Sequence, residues 1–107
     1  AIDLTLLGMG PDAHVASLFP GLPGVRDTGS RVIAVRDSPK PPPERLSFTL
    51  EAINASDRVW LIVAGADKAD AVALASSGAS ADEAPAGAVH GRLETLMLLD
   101  EDAAARL

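Results

Sequence analysis

Apolar residues along this chain come in short runs separated by glycine, proline and small polar residues, and the runs follow two periods. Residues 2–7, Ile-Asp-Leu-Thr-Leu-Leu, alternate too weakly for a half-exposed strand and predict a central parallel strand covered on both faces. Residues 59–63, Val-Trp-Leu-Ile-Val, are an unbroken apolar run between Asp57-Arg58 and Gly65; they make the clearest strand, with Trp60 in the core. Shorter strands are predicted at 31–35, β-branched at Val32, Ile33 and Val35, and at 45–50 and 94–99. Helical spacing occurs at 67–75, with Ala71, Val72, Leu74 and Ala75 on the inner side, and over a turn or more at 51–55. A short helix is predicted at 14–18, stopped by Pro20 and Gly21, and a last one at 101–107, capped by Asp100.

The connecting segments are read from their breakers. Residues 19–30 and 76–88, rich in glycine, alanine and proline, predict surface loops. Residues 37–43, Asp-Ser-Pro-Lys-Pro-Pro-Pro, predict a stiff, extended stretch, because proline fixes its own φ and keeps the preceding residue out of the helical region. Strand, turn, helix, strand, helix, strand is the rhythm of an α/β layer with a largely parallel sheet, here a single unit without internal repeats. A chain that opens Ala1-Ile2-Asp3 directly on an apolar strand, with no initiator methionine and no capping element, reads as a fragment.

Composition narrows the function classes. With 107 residues, 48% of them apolar, the chain builds one small domain with a modest core. A formal charge of −6 argues against nucleic acid as a partner, since phosphate backbones are bound by clustered Lys and Arg. Any anion must therefore be caught locally. The absence of cysteine removes disulfides and thiolate ligands, and two isolated histidines do not make a zinc site, so no metal is expected. The apolar runs fall well short of the about 20 residues that cross a bilayer, and the opening residues lack a signal peptide's basic segment. A soluble, cytoplasmic protein without membrane partners is expected.

Ligands of parallel sheets bind outside the carboxyl ends of the strands. The turn Gly8-Met9-Gly10-Pro11-Asp12 lies there and leads to His14, the first candidate for acid–base chemistry. Gly8 and Gly10 let a ligand approach the backbone closely, and Asp12 either orients the imidazole or caps the following helix. By itself such a turn also serves merely to join a strand to a helix. Lys40, held in a proline frame, suits an anion clamp or is a solvated loop charge; Arg45 joins it or pairs with Glu44 or Asp37. Lys68, in a helix's first turn where its charge is mildly unfavourable, reads as a surface lysine. His90 is read as incidental, and Ser17 lacks the strained G-x-S-x-G elbow of serine hydrolases.

Several of these segments together are more specific than any one. Leu6-Leu7-Gly8-Met9-Gly10-Pro11-Asp12-Ala13-His14-Val15-Ala16-Ser17-Leu18-Phe19-Pro20-Gly21 resembles the signature of the 6-phosphogluconolactonases, whose core reads G-M-G-x-D-G-H-x-A-S-L-F-P. Residues 37–50, the segment Val63-Ala64-Gly65-Ala66-Asp67-Lys68-Ala69 and the closing Leu98-Leu99-Asp100 resemble later blocks of that family in the same order. The resemblance implies a Rossmann-like three-layer α/β sandwich, of which residues 1–107 are the C-terminal portion. It implies hydrolysis of 6-phospho-D-glucono-1,5-lactone to 6-phosphogluconate in the oxidative pentose phosphate pathway, without metal or cofactor. His14, with Asp12, matches the catalytic position; Gly8 and Gly10 allow close backbone approach, and Lys40 and Arg45 match basic positions near the substrate.

There are departures from the pattern. Ala13 stands where the family has glycine, and Met97 where it often has tryptophan. Family members also carry a longer N-terminal half with a glycine-rich phosphate loop. Residues 1–107 in isolation are therefore expected to expose one edge and one face of the sheet, which self-association is one way to cover, and to show little activity. Two alternatives stand beside the lactonase reading. One is a glucosamine-6-phosphate deaminase or isomerase, in which the histidine is followed by A-F-N-E-P; the glutamate of that segment is missing from Ala16-Ser17-Leu18-Phe19-Pro20. The other is a non-catalytic fragment that keeps only the fold.

Overall fold

The computed structural model describes residues 2–107, so Ala1, part of the opening read as a fragment's, lies outside the described residues. In chain order the regular elements are β1 (Leu4–Leu7), β2 (Val32–Val35), β3 (Arg45–Phe48), α1 (Leu50–Asn54), β4 (Arg58–Val63), α2 (Ala69–Ala75) and β5 (Glu94–Leu99). Strands β1, β4 and β5 form a parallel sheet in the order β1-β4-β5, and β2 pairs antiparallel with β3 in a second sheet. The α/β architecture with a largely parallel sheet is therefore as expected.

Alternation along β4 decides where the core lies. Val59, Leu61 and Val63 point inward and are buried, flanked in register by Leu7 on β1 and by Met97 and Leu99 on β5. Ile53 of α1, Ala71 and Val72 of α2, and Val15, Leu18 and Val25 from the loops close over this face. Leu74, expected inside, is instead 38% exposed. Thr49 caps α1: its hydroxyl accepts from the Ala52 amide at 3.2 Å and donates to the Ser30 carbonyl at 2.6 Å.

The opposite face of the sheet is open. Leu4, Leu6, Ile62, Leu96 and Leu98 are exposed there, and β1 pairs only with β4. The central strand is β4, and β1 is an edge, contrary to the expectation for residues 2–7. Apolar residues on both sides of a strand produce the same unbroken run whether or not these residues supply the second cover. Trp60 lies on this face too, its Nε1 donating to Glu94 Oε1 at 2.9 Å, and so is not in the core.

Four segments depart from their local propensity. Residues 14–18 form a tight turn, not a helix: Val15 bridges Leu18, and the Ser17 amide is taken by the buried Ser47 hydroxyl at 3.0 Å. Residues 37–43 fold back on themselves instead of extending, with the Ser38 amide donating to the Pro43 carbonyl at 3.1 Å. Residues 76–88 are more than a surface loop, since Ala84, Pro85 and Ala86 are buried against the core. Residues 101–106 form successive turns in place of a regular helix, although Asp100 does cap them, accepting from the Ala103 amide at 2.8 Å.

Ala13 (φ 69°) and Ala16 (φ 51°) hold the left-handed backbone that a Cβ disfavours by about 1–2 kcal/mol. Because the Ala16 side chain is exposed, Ala16→Gly is expected to stabilise the fold by about 1 kcal/mol, read as a higher urea midpoint. A lowered midpoint would contradict this. At the fully buried Ala13 the lost methyl, worth about 0.8 kcal/mol, offsets the relief, and Ala13→Gly is expected to be near neutral.

Candidate active site

The turn leaving β1 is closed by its own backbone. The Gly10 amide donates to the His14 carbonyl at 3.0 Å, and the Ala13 amide to the Gly10 carbonyl at 2.9 Å. From the distant Pro85–Ala88 turn, the Ala86 amide reaches the Ala13 carbonyl at 3.0 Å, tying the loop to the core. Within this frame Asp12 Oδ1 accepts twice from His14, from the backbone amide at 3.1 Å and from Nδ1 at 2.6 Å. An ionised carboxylate is only an acceptor, so Nδ1 carries the hydrogen, and in the neutral imidazole the lone pair is left on Nε2. Of the two roles open to Asp12, orientation of the imidazole is the one observed.

Burial raises the Asp12 carboxyl, but its side-chain and backbone hydrogen bonds to His14, together with attraction to the imidazole, outweigh this and hold it below its ordinary value. A lowered folded value makes ionisation and folding support each other. The contribution of Asp12 is then complete above the unfolded value, about pH 4, and lost as the pH falls through the lower folded value. A carboxyl ¹³C titration is expected to give an Asp12 midpoint below about 3.9, and a midpoint above that would contradict the hydrogen-bonded pair.

The imidazole is braced from behind and hemmed in from the side. The Phe19 ring lies 4.5 Å from it, centroid to centroid, at 33°. At Gly10 a Cβ would collide with His14 Cε1 and Nδ1 and lie 2.8 Å from Asp12 Oδ1. At Gly8 a Cβ would meet nothing within 4 Å, because Gly8 faces open space. The two glycines therefore serve different ends: Gly10 makes room for His14, and Gly8 leaves open space at the end of the strand.

His14 opens on a cleft of about 750 Å³, which Gly8, Gly10, Lys40, Asp67 and Lys68 also line, with Leu6 and Ile62 from the open sheet face. Among its lining residues two ammonium groups, Lys40 and Lys68, face one carboxylate, Asp67, so a chain of net charge −6 is locally positive here. Lys68 is the residue that sequence reading took for surface. Its Nζ donates to the Met9 carbonyl at 2.6 Å, at the centre of the glycine turn. The unfavourable placement of a lysine in a helix's first turn was the available signal.

Arg45 is not among the cleft's lining residues. Its Nε donates to the Pro42 carbonyl at 3.1 Å and its Nη2 to the carbonyls of Pro41 and Lys40 at 2.8 and 3.1 Å, with the guanidinium 5.5 Å over the Phe19 ring. It holds the loop that carries Lys40. His90 lies elsewhere, its amide bonded to Asn54 Oδ1. No group of three or more His, Cys, Asp or Glu among the described residues is arranged to hold a metal ion, and no helix among them is long and apolar enough to cross a membrane.

Known proteins resemble this chain in sequence and fold. The chain is 59% identical over 107 residues to the 6-phosphogluconolactonase of Streptomyces coelicolor, covering all of this chain and 41% of that protein. It is 55% identical over 105 residues to the 6-phosphogluconolactonase of Mycobacterium tuberculosis, covering 98% of this chain and 42% of the relative. It thus spans about two fifths of the length of the curated relatives it matches. Among solved structures it is similar to the 6-phosphogluconolactonase of Trypanosoma brucei, with a TM-score of 0.83 at 27% identity, over 98% of this chain and 42% of that one. The model of glucosamine-6-phosphate isomerases/6-phosphogluconolactonase matches residues 1–98, a span that holds the glycine turn, His14, Lys40 and Lys68. With sequence and fold in agreement over nearly its whole length, the chain belongs to the glucosamine-6-phosphate isomerase/6-phosphogluconolactonase family.

Proposed function

We propose that this chain is the C-terminal portion of a cytoplasmic 6-phosphogluconolactonase and carries its general base, His14. The observation that supports this most directly is the Asp12–His14 pair, with Nε2 uncommitted, on a cleft with two lysines. Opening a lactone requires an activated water, relief of the negative charge that develops on the carbonyl oxygen, and a proton for the departing ring oxygen. Nε2 of His14 takes a proton from water as the oxygen attacks C1 of 6-phospho-D-glucono-1,5-lactone. Asp12 stabilises the resulting imidazolium. As the tetrahedral intermediate collapses, the C1–ring oxygen bond breaks and the imidazolium returns its proton to that oxygen, leaving 6-phospho-D-gluconate.

Lys40 and Lys68 supply the positive potential that draws a phosphate ester into the cleft. Arg45 acts on the same substrate site through the loop it binds. Behind His14 the segment Ala16-Ser17-Leu18-Phe19-Pro20 offers an aromatic ring and no carboxylate, which favours hydrolysis, needing one acid–base group, over sugar ring opening and isomerisation, needing several. The test is a hybrid in which this chain replaces the matching 107 residues of the Streptomyces relative, assayed by coupled detection of 6-phosphogluconate. Hydrolysis well above the spontaneous opening of the lactone is expected. A hybrid that folds but gives only the spontaneous rate would overturn the proposal.

A further inference from the structure

We propose that Asp100 is a positioning residue, which fixes the turn Gly65–Lys68 and thereby holds the Lys68 ammonium at the glycine turn beside His14. Asp100 directly follows β5, and Gly65 lies just past the end of β4, the neighbouring strand. The Asp100 carboxylate bridges the two chain segments. Its Oδ1 and Oδ2 accept from the Gly65 amide at 3.1 and 3.2 Å, and Oδ1 also accepts from the Ala103 amide at 2.8 Å. These backbone donors hold the carboxyl below its ordinary value, as expected of a group that stays ionised in this role.

Beyond Gly65 the chain has one route to the site. Gly65 sits at φ 104°, where side chains are disfavoured, and a Cβ there would lie 2.7 Å from Asp67 Oδ1. Its carbonyl accepts from the Lys68 amide at 3.1 Å, which closes the turn and sets the direction in which Lys68 leaves the backbone. Lys68 then reaches the Met9 carbonyl with its Nζ at 2.6 Å. The path therefore runs from Asp100 through Gly65 and Lys68 to the loop that contains Gly10 and His14. A long lysine side chain has many rotamers, and a fixed base lowers the entropy lost when its ammonium is held at one point. Asp100 is exposed and is not among the cleft's lining residues, so its effect passes through Lys68.

This rests on the reading of the cleft as a sugar-phosphate site, and the experiment separates the two. In the hybrid lactonase described above, amide hydrogen exchange is measured for the parent, Asp100→Ala and Asp100→Asn, alongside titration with 6-phosphogluconate. Asp100→Ala is expected to speed exchange at Gly65 and Lys68 about tenfold while leaving residues 59–63 unchanged, and Asp100→Asn, which keeps one acceptor oxygen, to recover part of the loss. Asp100→Ala and Lys68→Ala are each expected to weaken 6-phosphogluconate binding about tenfold, and the double variant to bind no more weakly than Lys68→Ala alone. Unchanged exchange at Gly65 and Lys68, an equal rise throughout β4, or additive losses in the double variant would each overturn the role of Asp100. Failure of the parent to bind 6-phosphogluconate would overturn the sugar-phosphate reading instead, with the exchange pattern still deciding whether Asp100 fixes the turn.

Discussion

His14→Ala in the hybrid lactonase is expected to lower kcat by about 10²–10⁴-fold, the range for loss of a general acid–base group. The expectation rests on what remains after the substitution. Asp12 keeps its bond from the residue-14 amide, and the loop keeps the bonds between Gly10, Ala13 and residue 14, so the turn holds its shape. Lys40 and Lys68 still face the cleft and still attract the phosphate ester. Substrate binding is therefore expected to survive better than turnover, with KM changing much less than kcat. After subtraction of the spontaneous reaction, a variant with full kcat would remove His14 from the chemistry.

Gly10→Ala is expected to approach the same loss, at about 10²-fold or more in kcat, although it removes no functional group. The added methyl falls on His14 Cε1 and Nδ1 and presses on Asp12 Oδ1, so the imidazole and the carboxylate cannot both keep their positions. Retreat of the backbone is blocked, because the amide and the carbonyl of Gly10 are both engaged, by His14 and Ala13. The imidazole must turn away from Asp12, which frees its tautomer and moves Nε2 from the cleft. Overpacking of this kind also destabilises, by about 1–3 kcal/mol, which a urea titration reports separately. Gly8→Ala is the control, since its methyl enters open space: the fold is expected to hold and the effect to fall on KM. If Gly10→Ala matched Gly8→Ala in kcat, the close packing of Gly10 on His14 would have no functional consequence.

Much of the site was legible because its parts lie within a few residues of one another. Asp12 and His14 are two apart, a separation at which a carboxylate reaches both the amide and the ring of the histidine in a tight turn, and the glycines before them announced close approach. Ala13 was legible only through the family resemblance, as a side chain where the family has glycine, and its backbone does hold positive φ. Lys68 was not, since its partner, the Met9 carbonyl, is 59 residues away. Nor was the turn at 14–18. Pro20 marks a helix end as plausibly as a loop, and what decides is the buried Ser47 hydroxyl, 30 residues further on, that claims the Ser17 amide.

The sequence by itself determined where the strands run, that the sheet is largely parallel, and that a glycine turn at a strand end leads into Asp12 and His14. Each of these is written in local periodicity, in breakers, or in residues a few positions apart, where chain geometry alone sets the contact. The tertiary structure alone decided that β4 and not β1 is central, that Trp60 lies on an open face, that Arg45 is spent on its own loop, and that Lys68 joins His14. Burial and hydrogen-bond satisfaction are settled by whichever groups meet in space, and for these residues the partners are separated by long stretches of chain or, for Arg45, are backbone carbonyls taken in place of the nearby Glu44 and Asp37.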